Sequence, residues 1–397
     1  MNYFLKRALI TTWLLVAAPA LAIDLDDEDL QAIQPSIGLQ AVYDSNIFDS
    51  SSDEIDSLIT IVAPTLLLST APAPRRFALL YTGEYGYYLS SSDDNYDDHL
   101  LSGLGTLTMG SRGRLDLTAS TQKAHRDRGS NQTDGFGPGS LLFPDEPDQF
   151  DRSTWSTKFR YGADGNRGRL NFGIGGTQLD YTNNKARTRF FDFETLSGSA
   201  GLSLRFHQRT SVVFTAAYTN INYENARQGA AIRDGHDWRY LLGLTWEATS
   251  KTSGSVRLGI QQRSFDDPSR DDTSNPSWEV DVRWSPRDYS HVDFVASRVN
   301  QETFGEGAFI DSRLLKVSWT HEWNRGWESV VSFNARRLEF VDSARDQDSH
   351  ELYIGLRLPQ TRLLTWETGY RYRTRDSSVD RYVFTGNMFS IGFNLGT

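Results

Sequence analysis

The sequence predicts an all-β fold: a transmembrane antiparallel β-barrel of about 18 strands, with short turns at one end and long loops at the other. Three observations lead to this prediction. The chain begins with a secretory signal sequence, its apolar and polar residues alternate along successive segments, and the connections between those segments alternate in length. Together these features indicate a barrel that is exported and inserted in a membrane.

The N-terminus has the three parts of a signal peptide. Lys6 and Arg7 form a short positive region, residues 8–18 form an apolar run, and Ala20-Leu21-Ala22 is a small-x-small cleavage site. We therefore expect residues 1–22 to be a signal peptide that is removed from the mature protein.

Beyond the signal peptide, we expect an acidic periplasmic lead-in at residues 23–33 and a single barrel domain at residues 34–397. No later segment approaches the run of about 18 apolar residues that a spanning helix needs. Aromatic residues nevertheless make up 12% of the chain. Aromatic girdles at both membrane interfaces are typical of transmembrane barrels, so the aromatic content favours a barrel over a soluble sandwich or propeller.

Alternation with a period of two is clear in several segments. The apolar members of three of them are Tyr240, Leu242, Leu244 and Trp246; Trp278, Val280, Val282 and Trp284; and Leu352, Ile354, Leu356 and Leu358. A period of two with one apolar face predicts strands and not helices. The weakest strand predictions are the first two, at residues 37–42 and 57–68, because the second is apolar at both parities and contains Pro64.

The connections between these segments fall into two sets. Short turn-like segments alternate with longer segments rich in Asp, Ser and Asn, of which residues 127–149 are the longest. Counting the longer set gives about nine hairpins, hence about 18 strands, and bacterial barrels place short turns in the periplasm and long loops outside. The localisation that follows is the bacterial outer membrane.

Charge is distributed unevenly between the loops and the predicted barrel wall. The formal net charge is −10, and the acids concentrate in the predicted loops. If the apolar parity faces lipid, the other parity faces the lumen and carries twelve basic candidates. These lumen-lining candidates are Lys158, Arg160, Arg205, Arg239, Arg257, Arg263, Arg283, Lys316, Arg336, Arg357, Arg371 and Arg373. The acidic residues of the same parity are Glu84, Asp116, Glu247, Glu279, Asp281 and Glu367.

A basic lumen has a functional and a structural interpretation. Arginines lining a wide channel favour anions. For any single arginine, however, pairing with an acid on a neighbouring strand is the more common role. Acidic loop clusters, at residues 93–98 and 266–272, offer calcium-type oxygen ligands but lack EF-hand spacing, so solvated loops are the favoured interpretation. We therefore expect no metal site and no cofactor.

No catalytic motif is present. The chain has no cysteine, no Gly-x-Ser-x-Gly elbow, no His-Glu-x-x-His and no phosphate-binding loop. The best Ser–His candidate is His125, with Ser120 and Ser130 nearby in the sequence. Since serine is abundant here, we expect that the protein is not an enzyme.

Two short motifs resemble a known family. Tyr43-Asp44-Ser45-Asn46-Ile47-Phe48, followed by an acidic segment, resembles the first hairpin of the putative β-barrel porin 2 family, and Arg126-Asp127-Arg128-Gly129-Ser130 resembles a later segment of it. That family is often associated with exopolysaccharide or capsule biosynthesis loci. The resemblance implies a role in passing a polysaccharide across the outer membrane.

The sequence thus supports two functions. The first is a channel for an anionic exopolysaccharide or small anions; the second is a plugged barrel that acts through its acidic loops as an adhesive or structural protein. Residues 127–149 discriminate between them, since they could fold inward or stand outward. The expected partners are outer-membrane lipid and lipopolysaccharide, an anionic polysaccharide and periplasmic export components. Nucleic acid is excluded by the acidic charge.

Overall fold

The computed structural model of the chain describes residues 32–70, 75–138, 140, 142–163, 166–247 and 251–396. The predicted signal peptide and nearly all of the lead-in lie outside these residues. The short turn-like segment at residues 71–74 also lies outside them, as do parts of those at 165–168 and 249–251. No helix in the described part of the chain is long and apolar enough to cross a membrane.

In the described part of the chain, eighteen antiparallel strands form one closed sheet, which confirms the predicted fold and strand number. Every strand pairs with its sequence neighbours, and β1 pairs with β18, Ile37 lying opposite Leu395. The strands are β1 (Ile33–Asp44), β2 (Ser57–Thr70), β3 (Arg75–Tyr88), β4 (Tyr96–Met109), β5 (Gly113–Arg126), β6 (Asp148–Tyr161), β7 (Gly168–Tyr181), β8 (Phe193–His207), β9 (Thr210–Tyr223), β10 (Gly235–Trp246), β11 (Thr252–Phe265), β12 (Thr273–Arg287), β13 (Ser290–Glu302), β14 (Phe309–Glu322), β15 (Glu328–Phe340), β16 (Asp346–Pro359), β17 (Leu364–Ser377) and β18 (Phe384–Gly396).

The connections between strands are short at one end of the barrel, the turn end, and most are longer at the other, the loop end. The nine loops are L1 (residues 45–56), L2 (89–95), L3 (127–147), L4 (182–192), L5 (224–234), L6 (266–272), L7 (303–308), L8 (341–345) and L9 (378–383). Helical turns are short and lie in the connections: α1 (Lys185–Thr188) and the 3-10 turns Ser92–Asp94, Asn131–Thr133, Arg189–Phe191, Asn324–Gly326 and Asp380–Tyr382.

The first two strands are longer than the alternation indicated. β1 begins at Ile33, one residue before the predicted barrel, and β2 runs to Thr70. Both faces of β2 are apolar because its inner face also packs in the barrel: Leu67 lies in a buried apolar cluster with Ala78 and Leu80. The ladder between β2 and β3 is interrupted between Val62 and Thr65, around Pro64, which has no N–H to donate.

Buried apolar side chains form small clusters and not one core. Two clusters lie near the loop end: Ala124, Phe150, Leu179, Tyr181 and Phe191 in one, and Ile310, Leu338 and Phe340 in the other. Residues of L4 and L7 pack with these clusters, since Phe191 belongs to the first and Phe304 contacts the second. The loops therefore pack against the rim of the barrel.

Candidate functional site: the barrel interior and its mouth

The register of the strand pairs divides the wall into an outer and an inner face. Large apolar side chains at alternate positions are exposed on the outer face, with Leu242 58% and Leu258 59% exposed. The intervening positions share the opposite face, as Gly243, Arg257 and Glu279 do in direct register on β10, β11 and β12. The pairings propagate this assignment around the closed sheet.

The register places all twelve predicted basic residues at inner-face positions. They are Lys158, Arg160, Arg205, Arg239, Arg257, Arg263, Arg283, Lys316, Arg336, Arg357, Arg371 and Arg373. Of the six predicted acids, Glu84, Asp116, Glu279, Asp281 and Glu367 lie on the same face. Glu247 follows the end of β10.

The strand register also shows inner-face charged residues that the sequence pattern does not indicate. The basic additions are Arg76, Arg114, Arg126, Arg152, Arg169 and Arg375. The acidic additions are Asp44, Asp98, Asp148, Asp237, Asp293, Glu322, Glu328 and Glu351. Most lie near a strand end, beyond the segments whose alternation is clear in the sequence. Since the added acids outnumber the added bases, the basic surplus of the wall is smaller than the sequence indicated.

Many inner-face arginines form ion pairs within the wall. Arg263, whose side chain is fully buried, donates to both carboxylate oxygens of Glu302 at 2.8 and 3.1 Å. Arg239 and Arg257 share Glu279. Further pairs are Arg160–Asp116 at 3.8 Å, Arg283–Asp293 at 2.6 Å, Arg357–Glu367 at 3.3 Å and Arg371–Glu351 at 3.6 Å. The wall is thus a network of paired charges with a basic surplus.

A row of inner-face arginines lies along one sector of the wall. Arg371, Arg373 and Arg375 occupy successive inner positions of β17, spaced by about 7 Å along the strand. Arg336 on β15 lies level with Arg375, both being in register with the same residue of β16. Arg336 donates to the neutral amide of Gln301 at 2.8 Å. We call these four arginines the arginine column.

L3 crosses the mouth of the barrel. At one side Gln132 donates to Tyr181 of β7 at 2.7 Å. At the other, the buried carboxylate of Asp134 pairs with Arg345 of L8 and accepts a hydrogen bond from Arg375 of β17 at 2.6 Å. Because β7 and β17 lie on nearly opposite sides of the closed sheet, the loop spans the opening. The longest loop therefore folds inward and does not stand outward.

The start of L3 is anchored by Arg128. Its guanidinium donates to both oxygens of Asp94 on L2 at 2.7 and 2.6 Å and lies about 5 Å from the rings of Phe48 and Phe143. The next residue, Gly129, has φ +80°, and a Cβ there would meet the carbonyl oxygen of Phe48 at 1.9 Å. Only glycine allows this close approach, which accounts for the Arg-Gly pair of the second family motif.

The β13–β14 hairpin also turns into the mouth. Pairing between β12 and β13 ends at Trp278 and Arg298, although β13 continues to Glu302. Glu302 accepts a hydrogen bond from Tyr223 of β9 at 2.5 Å in addition to its pair with Arg263. The end of β13 has therefore left its neighbour and lies against the inner side of β9 and β11.

L7 at the tip of this hairpin is tied to two other loops. Glu306 accepts hydrogen bonds from Ser343 of L8 at 3.0 Å and from Arg381 and Tyr382 of L9 at 2.9 and 2.5 Å. Attraction by these groups lowers the pKa of Glu306 against the opposing effect of its burial. Phe309, at the end of the loop, is fully buried. We call L3, L7, L8 and L9 the mouth layer, since polar contacts join them into one closure.

L1 contributes a further carboxylate to the arginine column. The Asp49 carboxylate lies 3.2 Å from a guanidinium nitrogen of Arg373 and 3.9 Å from one of Arg375. Burial raises the pKa of Asp49 to about 6, and the two guanidinium groups offset this rise only in part. At neutral pH the Asp49 carboxylate is therefore ionised in the docked loop. The loss of its hydration there makes docking of L1 less favourable.

Acidification from pH 7 to pH 5 is expected to strengthen the docking of L1. A carboxyl whose pKa is about 6 when docked and 3.8 when free binds its proton more tightly in the docked loop. The resulting stabilisation is fully present below pH 3.8 and is lost as the pH rises through about 6. Hydrogen exchange of L1 amides, corrected for intrinsic rates, should therefore slow as the pH falls.

The matched variants are Asp49→Asn and Asp53→Asn. D49N should abolish the pH dependence, whereas D53N, at an exposed position of the same loop, should retain it. Faster corrected exchange at pH 5 than at pH 7 in the unmodified protein would contradict the assignment.

The Ser–His candidates are engaged in other contacts. The two ring nitrogens of His125 face Asp98 at 2.8 Å and Asp127 at 3.2 Å. Ser120 Oγ contacts Thr154 Oγ1 at 2.7 Å, and Ser130 Oγ donates to the Asp127 carbonyl oxygen at 2.7 Å. Both hydroxyl groups thus contact groups other than the His125 ring.

The acidic clusters at the loop end are divided among separate partners. Asp94 binds Arg128 and Asp98 binds His125, while Asp267 accepts from Ser269 and the backbone of Ile232. Within the described ranges, no group of three or more His, Asp or Glu side chains is placed to hold a metal ion.

Sequence comparison finds one family model that spans the barrel. Residues 32–396 match the model described as putative beta-barrel porin 2. This match covers β1 to β18 and the loops between them. Comparison with curated proteins finds no significant match.

Comparison with solved structures finds an outer membrane protein and a siderophore receptor among the matches. The outer membrane protein OpdK from Pseudomonas aeruginosa is 11% identical with a TM-score of 0.48, over 92% of this chain and 99% of that chain. The siderophore receptor PirA from Acinetobacter baumannii is 7% identical with a TM-score of 0.46, over 93% of this chain and 81% of that chain. Identities this low carry no information about substrates.

Proposed function

Because the chain belongs to the putative β-barrel porin 2 family, we propose that this porin-like barrel of the bacterial outer membrane is a conduit for an anionic exopolysaccharide or for small anions. The family is one of porins and not of enzymes. By the loop asymmetry of bacterial barrels, the mouth layer faces the cell exterior and the turn end faces the periplasm.

The arginine column is the observation that carries this proposal. Barrels of 16–18 strands are wide enough to enclose an aqueous channel, and arginines lining a channel favour anions. Arg371, Arg373 and Arg375 follow one another along β17 toward the mouth. A guanidinium group binds carboxylates bidentately, so the column offers successive sites for the acidic groups of a uronic-acid polymer.

In the closed mouth, loop carboxylates lie at two of these sites. Wall carboxylates also pair with the column, since Glu351 lies 3.6 Å from Arg371 and Asp44 lies 2.9 Å from Arg373. Asp49 of L1 lies beside Arg373, and Asp134 of L3 binds Arg375. These side chains present the same chemical group that an acidic sugar would present. An anionic polymer arriving along the column would therefore replace one carboxylate by another, and the arginines would stay paired while the loops move outward.

The second candidate, a plugged barrel that acts through its loops, is supported by the crossing of L3 and by the inward β13–β14 hairpin. The two functions differ in what happens when the mouth layer is released. A conduit then passes anions, whereas a plugged barrel keeps its interior closed.

Proteoliposome efflux distinguishes anionic from neutral cargo. We expect acidic oligogalacturonates to leave faster than neutral malto-oligosaccharides of equal length, and the difference to shrink in high salt, which screens the column. The same comparison of the two oligosaccharides is made with Asp134→Asn, which should release L3. This variant gives a result even if the mouth of the unmodified barrel stays closed. Equal rates, or faster efflux of the neutral oligosaccharide, would contradict the proposal.

A further inference from the structure

Three arginines form a row on the outer face of the barrel. Arg298 of β13 is in direct register with Arg313 of β14, which is in direct register with Arg337 of β15. All three share the outer parity. On β14 the outer positions that follow toward the turn end are the apolar residues Leu315, Val317 and Trp319. The row thus lies immediately beyond the apolar band, on its loop side.

Direct register of like charges is unfavourable in a sheet unless other charges compensate it. Arg298 is the most buried of the three: its Nη2 lies 2.5 Å from Asp311, and its guanidinium is 5.6 Å from the Trp278 ring. Its side chain is only 12% exposed. Arg298 is therefore a fixed member of the row with little surface free for a ligand.

Arg313 and Arg337 have more acidic neighbours than Arg298 but are more exposed. They share one carboxylate, since Glu339 accepts from Arg313 at 2.9 Å and from Arg337 at 3.1 Å. The remaining acidic neighbours are more distant: Arg313–Asp311 at 3.7 Å, Arg337–Asp348 at 3.6 Å and Arg337–Asp346 at 4.0 Å. The two side chains are 34% and 45% exposed, so both guanidinium groups face the surroundings of the barrel.

The position of the arginine row relative to the apolar band indicates which chemical group it would contact. Asp311 and Glu339 lie one outward position further from the apolar band, and Asp348 is level with Arg337. Arg313 and Arg337 are accordingly among the first charged groups that a lipid meets above its acyl chains. In the outer leaflet of a bacterial outer membrane, the groups at that depth are the phosphates of lipopolysaccharide, and arginine binds phosphate bidentately.

We propose that Arg313 and Arg337 form a binding site for a phosphate of the lipid A part of lipopolysaccharide, with Arg298 and Asp311 fixing the row. The site lies on the β13–β15 sector, the strands that also carry the inward hairpin and L7. It is independent of the proposed conduit, since these side chains lie on the opposite face of the wall from the arginine column.

Native mass spectrometry of the full barrel with diphosphorylated or dephosphorylated lipid A tests this site. The unmodified protein should retain the diphosphorylated form preferentially. Arg313→Gln with Arg337→Gln should reduce that retention by about thirtyfold, as expected for the loss of two interfacial arginines. The matched control is Lys123→Gln, an exposed outer-face cation on β5, which should leave retention unchanged.

A charge-conserving pair, R313K with R337K, separates binding from folding. It should restore most of the retention while losing the bidentate contact, giving a value between those of the unmodified protein and the glutamine pair. Retention that is independent of lipid phosphate, or equal in the unmodified protein and R313Q/R337Q, would overturn the proposal. So would a dimer mass that the glutamine pair abolishes, since the row would then bind a second copy of the chain.

Discussion

Asp134→Asn is expected to open the mouth of the barrel. Asp134 is buried between Arg345 and Arg375, and its side chain is only 3% exposed. Removing one partner of a buried ion pair is destabilising by about 3–5 kcal/mol, because the other charges are left without compensation. Without the carboxylate, Arg345 and Arg375 repel each other, and L3 loses its attachment on the β17 side.

Single-channel recording in planar bilayers measures this effect. A loss of about 3 kcal/mol from the closed state corresponds to a rise of about two orders of magnitude in open probability. Asp145→Asn is the matched control, since Asp145 lies on the same loop with an exposed side chain. D134N barrels as closed as the unmodified protein, or equal opening by D145N, would show that Asp134 does not hold the mouth shut.

Arg336→Glu is expected to shift ion selectivity toward cations. Most members of the wall network are paired with carboxylates, so their removal would leave an acid unpaired. Arg336 instead donates to the neutral Gln301 and lies level with Arg375. Its replacement changes the local charge by two units with little disturbance of ion pairs. A unit charge contributes about 1 kcal/mol at 4 Å even in water, so a change of two units should lower the anion-to-cation permeability ratio by at least about tenfold.

The reversal potential in a salt gradient, recorded in the D134N background, reports this ratio. Two controls isolate the position of the charge. R336K should preserve the selectivity, and R337Q should not alter it, because the adjacent residue Arg337 lies on the outer face of the same strand. A change in selectivity from R337Q as large as that from R336E would contradict the assignment of the two faces.

The strand number and the inner-face positions of the twelve basic residues could be predicted from the sequence because their causes are local. Alternation within each strand is a property of the pleat, and hairpin counting depends only on neighbouring segments. The alternation within β17 alone was enough to assign Arg371 and Arg373 to one face. Positions near strand ends, such as Arg375 and Asp44, were missed because the alternation fades where strands meet loops.

The closed mouth could not be predicted in this way. The contact between Asp134 and Arg375 joins residues 241 positions apart, and nothing periodic connects them. Period-two parity would also place Glu302 on the outer face with Arg298, whereas the end of β13 leaves its ladder and carries Glu302 inward to Arg263. Loop packing of this kind depends on tertiary contacts that no local pattern records.

The reversal potential of D134N barrels in a potassium chloride gradient shows whether the mouth layer closes a lumen that selects anions. We expect a measurable conductance with a reversal potential on the anion-selective side, moving toward zero as the ionic strength rises and screens the arginine column. A cation-selective reversal potential, or the absence of conductance once L3 is released, would show that the barrel is not an anion channel closed by its loops.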